Sequence, residues 1–272
     1  VLSWTGLSPR RRLLFGVIGL LVAALVAVLV ARAATRPGRN GAAPAQDRPG
    51  PVLLVPGYGG SRDALGVLAG RIRATGRPAE VVALPGDGTG DLALQADALQ
   101  AAVVAALAGG APSVDMVGYS AGGVVVRLWV ARHDGGKLAR RVVTLGSPQH
   151  GTRLAALGAS LGTGVCPPAC QQLIPGSTLL TDLDRDPVPA GLGWLSLWTA
   201  NDETVTPPDS ARLTGATNVE LQSVCRDEVV QHGSLPTDAL VTGIVLRALR
   251  ATPLVAPSAA DCAALRREGA SS

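Results

Sequence analysis

The Gly-x-Ser-x-Gly pattern occurs twice, as Gly118-Tyr119-Ser120-Ala121-Gly122 and as Gly158-Ala159-Ser160-Leu161-Gly162. Either serine could act as a nucleophile if a strand delivered it to a sharp turn and a helix left from that turn. The flanking glycines would then remove the side chains that clash in so tight a bend. Context separates the two. Ser120 follows an apolar run at 114–118 and precedes the apolar stretch that begins Ala121-Gly122-Gly123-Val124. Ser160 follows the helix-like Leu154-Ala155-Ala156-Leu157 and runs into more glycine. The nucleophile is therefore expected at Ser120.

A serine needs a base, and the chain offers three histidines, at 133, 150 and 232. When a doubly wound sheet carries the serine at a strand tip, the chain order is Ser, acid, His, with acid and His on loops after later strands. His133 ends the helix that follows Ser120, where an imidazole suits a helix C-terminus. His150 comes directly after the strand at 142–145, too early for an acid to intervene. His232 follows the last strand and is left as the base. The acid is expected at Asp202, at the tip of the strand that ends in Trp198-Thr199, with Glu203 as the fallback. Neighbours in extended chain point to opposite faces, so Glu203 is expected to face solvent. An oxyanion would need two backbone N–H donors, expected from Ala121 and from Tyr58 in Pro56-Gly57-Tyr58-Gly59-Gly60. Pro56 has no N–H to give.

Other chemistries find no support. No Walker A motif is present, and Gly86-Asp87-Gly88-Thr89-Gly90 lacks dinucleotide-binding spacing. Asp182-Leu183-Asp184-Arg185-Asp186 resembles the start of a calcium loop, but Pro187 replaces the turn glycine and no Glu closes it, so a solvated turn is expected. No cofactor and no metal are expected.

The elements that must position these residues read as alternating strands and helices. Strands are expected at 52–55, 81–84, 114–119, 142–145, 195–199 and 219–224, with helices at 61–75, 92–108, 121–132 and 239–249. Continuous apolar strands separated by helices predict a three-layer α/β fold around a mostly parallel sheet of about six strands. A Gly-, Pro- and Cys-rich insertion at 148–192 follows the fourth visible strand.

The basic charge is local. Residues 1–48 hold seven of the 24 Lys and Arg, leaving 17 against 19 acids in the rest of the chain, so no basic face for a nucleic acid remains. Arg10-Arg11-Arg12 precedes an uncharged apolar run at 13–31, about nineteen residues long. That run predicts export, with 1–35 as a cleaved signal or a retained membrane anchor, 36–50 as a flexible linker and 51–272 as an extracytoplasmic catalytic domain. The four cysteines agree, because an even count outside the cytosol suggests two disulfides. Three pairings are open; Cys166–Cys170 with Cys225–Cys262 is favoured.

Taken together, VLLVPGYGG (52–60), MVGYSAGG (116–123), VVTLGSPQHGT (142–152), the Cys166/Cys170 loop, LWTANDETVTPP (197–208) and VVQHGSLPTD (229–238) resemble the α/β-hydrolase superfamily. More narrowly, they resemble its secreted triacylglycerol lipases of actinobacterial type. The resemblance implies an esterase or lipase with Ser120, Asp202 and His232 as its triad, and a structural part for His150. Lipases of this kind commonly carry His-Gly in the oxyanion loop, where this chain has Pro56-Gly57; backbone donors survive that change. Few charges, the Gly/Leu-rich insertion, Trp194 and Trp198 suit an apolar pocket for a lipid or small ester. The same triad also serves thioesterases, peptidases and acyltransferases, and a non-catalytic binder could retain the fold. A monomer is expected.

Overall fold

A computed structural model describes Arg10, Ile18, Gly19, Val22 and residues 43–162 and 164–271. The export segment expected at 1–35 lies almost wholly outside the described residues, as does the linker to residue 42. Among the described residues no helix is long and apolar enough to cross a membrane. Ala43–Ser272 form one compact unit.

Six strands build its centre: β1 (Val52–Val55), β2 (Ala79–Val81), β3 (Val114–Tyr119), β4 (Ala139–Leu145), β5 (Gly193–Trp198) and β6 (Thr217–Glu220). They pair in the order β2-β1-β3-β4-β5-β6, and every pair is parallel. Side chains alternate across a strand, so a continuously apolar strand supplies two cores. Val52 and Leu54 join Leu65, Leu68 and Ile72 of α1 (Asp63–Ala74) and Ile244 of α8 (Ala239–Ala248) on one face. Leu53 and Val55 join Leu99 and Val103 of α2 (Leu92–Ala108) and Val124 and Trp129 of α3 (Ala121–Arg132) on the other. Three layers result. The insertion after β4 holds α4 (Arg153–Ser160), α5 (Pro168–Gln172) and α6 (Thr178–Leu183).

β2 covers Ala79–Val81 where 81–84 was expected, because pairing with Val52–Leu54 of β1 sets its extent. Three further elements differ from the sequence expectation, each through tertiary contact. β4 begins at Ala139 because Arg140 and Arg141, fully buried, bond to Asp115 of β3 and to carbonyls at the end of α8. The stretch 219–224 is strand only to Glu220 and then turns into α7 (Leu221–Val224), whose buried Leu221 and Val224 stand three apart as a helix requires. The C-terminal α9 (Cys262–Ser271) is a helix beyond the four expected. It packs on α8 through glycines at close approach: a Cβ at Gly243 would lie 2.1 Å from the Leu265 carbonyl oxygen, and one at Gly269 would lie 1.8 Å from that of Ala239.

Within the stretch expected to be a linker, Gln46 is fastened to the base of the sheet. Its carbonyl accepts from Arg140, and its side-chain oxygen accepts from Arg141 Nε at 3.1 Å. Disulfides join Cys166 to Cys170 and Cys225 to Cys262. The second closes a separation of 37 residues and ties α9 to the chain ahead of His232. Cys225→Ala/Cys262→Ala is expected to lower stability by about 2–4 kcal/mol, chiefly by freeing the unfolded chain, as urea unfolding would show. An unchanged midpoint would contradict a stabilising role.

Candidate active site

The C-terminal tips of β3, β4 and β5 lie side by side, with Tyr119 opposite Leu145 and Leu145 opposite Leu197. Ser120 stands at the first of these tips, between β3 and α3, with φ 53° and ψ −129°. That conformation is costly for a residue with a Cβ and survives only where the surroundings dictate it. Here the surroundings are two backbones in contact. A Cβ at Gly118 would lie 2.5 Å from Gly123 Cα, and one at Gly122 would lie 2.2 Å from the Val55 carbonyl oxygen. Strand, turn and helix thus fit together only with glycine at both positions.

Ser120 Oγ lies 2.9 Å from His232 Nε2, and His232 Nδ1 lies 2.8 Å from Asp202 Oδ2. All three residues are buried, at 8%, 5% and 5% exposure for Ser120, His232 and Asp202. An ionised carboxylate only accepts, so it draws the imidazole proton to Nδ1 and leaves the Nε2 lone pair facing the hydroxyl. The second carboxylate oxygen, Oδ1, accepts the backbone N–H groups of Thr204 at 3.0 Å and Val205 at 2.7 Å. This fixes the orientation of the carboxylate. The structure therefore brings together the three residues expected from the sequence.

The loop after β1 approaches from the other side. A Cβ at Gly57 would lie 2.9 Å from Ser120 Cβ, so the Pro56–Tyr58 main chain runs directly against the serine. Ala121, as the first residue of α3, carries one of the N–H groups that a helix leaves without an internal acceptor. These are the two segments from which oxyanion donors were expected.

The remaining candidates lie elsewhere. Ser160 is exposed at the end of α4 and donates to the Leu157 carbonyl at 2.7 Å. His133 Nε2 pairs with Asp97 Oδ1 at 2.9 Å, and His150 Nδ1 with Asp184 Oδ2 at 3.2 Å. Asp184 also receives Arg127, so this part of the expected turn is bonded to α3 and to the start of the insertion. Trp194 and Trp198 are both buried along β5; four residues apart in one strand, they share a side of the sheet, opposite to that of Leu195 and Leu197. An open cleft of about 790 Å³ does lie in the insertion, lined by Cys166, Gln171, Ile174, Pro175 and Leu179 among others, and the three triad candidates do not border it. Among the described residues no group of three or more His, Cys, Asp and Glu could hold a metal ion.

Three residues beside the site have contacts that the sequence reading did not anticipate. Gly146, directly after β4, has φ +53°, and a Cβ there would lie 3.1 Å from both Asp202 Oδ2 and His232 Nδ1. Glu203 is exposed but does not simply face solvent, because its Oε2 accepts the backbone N–H of His232 at 3.1 Å. The turn at 199–202, in which the Asp202 N–H bonds to the Thr199 carbonyl at 3.3 Å, takes the chain out of the extended form on which that expectation depended. Tyr119 donates its hydroxyl to the His232 carbonyl at 3.1 Å. Burial, aided by Asp202 and Glu203, pushes its phenol up to about 12, so the donor proton is retained at neutral pH.

No family model matches the chain, and no curated protein matches it in sequence. Solved structures do match in three dimensions. Aspergillus fumigatus lipase B superposes with a TM-score of 0.62 at 16% identity, over 78% of this chain and 54% of that one. The mature form of Bacillus licheniformis lipase BlEst2 gives 0.54 at 23% identity, over 67% and 85%. One of the two metagenome-derived lipolytic enzymes LipS and LipT gives 0.56 at 20% identity, over 78% and 98%. The chain thus spans about half the length of the fungal protein and nearly all of the metagenomic one. It has the α/β-hydrolase fold.

Proposed function

We propose that the protein is a serine ester hydrolase acting on carboxylic esters with apolar acyl chains. The observation that carries this reading is the buried chain of contacts from Ser120 through His232 to Asp202, at a strained strand-to-helix turn. His232 Nε2 takes the hydroxyl proton as Ser120 Oγ attacks the ester carbonyl. The tetrahedral oxyanion is received by the N–H groups of Ala121 and Tyr58. Collapse expels the alcohol, which leaves with the proton from His232, and an acyl-serine remains. Water, deprotonated by the same imidazole, then releases the acid. Asp202 stabilises the imidazolium in both halves.

The apolar substrate class is supported by α4, whose Leu154 and Leu157 stand exposed three residues apart, with exposed Leu161 continuing the same face. The solved neighbours named as lipases or lipolytic enzymes point the same way. We further propose that the domain works outside the cytosol. Two disulfides and the apolar run at 13–31 support this, with that run either cleaved as a signal or retained as an anchor.

The test is a series of p-nitrophenyl esters of increasing chain length, presented to the parent, Ser120→Ala and Ser160→Ala. The parent and Ser160→Ala should turn over alike, and Ser120→Ala should lose essentially all turnover while remaining folded. Activity that survives in Ser120→Ala would contradict the assignment. An extracytoplasmic acyltransferase or a thioesterase could use the same three residues. Product analysis with and without an acceptor alcohol separates transfer from hydrolysis, and a matched thioester separates the thioesterase.

A further inference from the structure

His232 opens a single 3-10 turn, His232–Ser234, after an irregular stretch; the turn gives its carbonyl the Leu235 N–H at 3.2 Å, and no sheet ladder includes it. The chain just ahead of it is secured. Cys225 is disulfide-bonded, the Val230 carbonyl accepts from Thr199 Oγ1 at 2.9 Å, and the Glu228 carbonyl accepts from Gln222 Nε2 at 3.0 Å. None of these holds residue 232 itself. Two side chains do. Glu203 Oε2 accepts its N–H, and the Tyr119 hydroxyl donates to its carbonyl, each at 3.1 Å. The Tyr119 ring also lies 5.2 Å from the imidazole, centroid to centroid.

Each of these two residues is the chain neighbour of another triad member, since Tyr119 precedes Ser120 and Glu203 follows Asp202. Resting on the triad assignment above, we propose that Tyr119 and Glu203 are positioning residues that clamp the main chain of His232. Through them the nucleophile's strand and the acid's turn each grip the base, so that Nε2 stays aimed at Ser120 Oγ as the imidazole gains and loses its proton. Asp202 alone leaves the ring free to travel with a shifting backbone. Misplacement of a reacting group by about 1 Å can cost on the order of a hundredfold in rate.

The test uses Tyr119→Phe, Glu203→Ala and Glu203→Gln in the full chain, assayed on a short p-nitrophenyl ester and unfolded in urea. Tyr119→Phe and Glu203→Ala should each lower kcat by about tenfold with KM and the unfolding midpoint unchanged, and the double variant by on the order of a hundredfold. Glu203→Gln keeps an amide oxygen that can accept the His232 N–H, so its kcat should recover to within about threefold of the parent. Two results would overturn the clamp alone: single variants that match an active parent, or Glu203→Gln as impaired as Glu203→Ala. A parent that neither hydrolyses esters nor takes a fluorophosphonate label at Ser120 would overturn the triad assignment, and the clamp with it.

Discussion

Asp202→Asn should lower kcat by on the order of 10⁴-fold while leaving the fold intact. The size of the effect follows from which atom the substitution places against the imidazole. In the parent, Oδ1 accepts from the Thr204 and Val205 N–H groups and Oδ2 faces His232 Nδ1. An asparagine must keep its carbonyl oxygen toward those two N–H donors, or leave them and its own amide opposed. Its NH₂ then points at Nδ1, which can no longer carry a proton. The proton moves to Nε2, and the imidazole presents a donor to Ser120 where it must accept. Steady-state kinetics on a soluble ester reads this directly. Turnover within tenfold of the parent would place the acid elsewhere, with Glu203 the nearest alternative.

Asp115→Ala should cost about 3–5 kcal/mol, a large part of the roughly 5–15 kcal/mol that holds a domain folded. Asp115 is fully buried near the start of β3 and accepts from Arg140 Nε at 3.0 Å, from Arg77 at 2.8 Å and from the Arg140 terminal nitrogen. Beside it, Arg141 donates to the Ala248 and Thr252 carbonyls, and burial, followed by the charge of Arg140, holds its guanidinium below its usual range. One carboxylate and the carbonyl end of α8 thus neutralise a cluster of three arginines. Removing the carboxylate leaves buried cations facing one another, whereas the carbonyls offer only partial charges. Urea unfolding should show the midpoint falling with an unchanged slope. Activity per folded molecule should hold, because the cluster lies at the end of the strands opposite Ser120. A midpoint close to the parent's would mean that water or chain movement solvates the arginines.

What the sequence made legible was what local pattern encodes. Ser120 stood out because an apolar run, a glycine-flanked serine and a second apolar run follow in the order that a strand, turn and helix require. His232 and Asp202 followed from chain order, since a parallel sheet delivers its loops to one edge. Features that depend on distant partners stayed hidden. Arg140-Arg141 reads as a surface pair until Asp115, 25 residues earlier, is seen beside it on the next strand. Gly146 resembles any turn glycine until a Cβ is placed against the Asp202–His232 pair. Glu203 was assigned to solvent by strand alternation, yet the chain turns at that point and returns its carboxylate to the His232 main chain. The tryptophans of β5 were read as pocket lining because they are large and apolar, when burial within the sheet layers already accounts for them.

Ser120 as nucleophile and His232 as its activating base are the assignments on which the rest depends. Mass spectrometry of the protein after reaction with a fluorophosphonate tests them most directly, with the parent, His232→Ala and Ser160→Ala treated in parallel. A single adduct is expected on the peptide containing Ser120 in the parent and in Ser160→Ala, and little or none in His232→Ala over the same interval. An adduct on Ser160, or labelling of Ser120 that proceeds equally fast without His232, would contradict them.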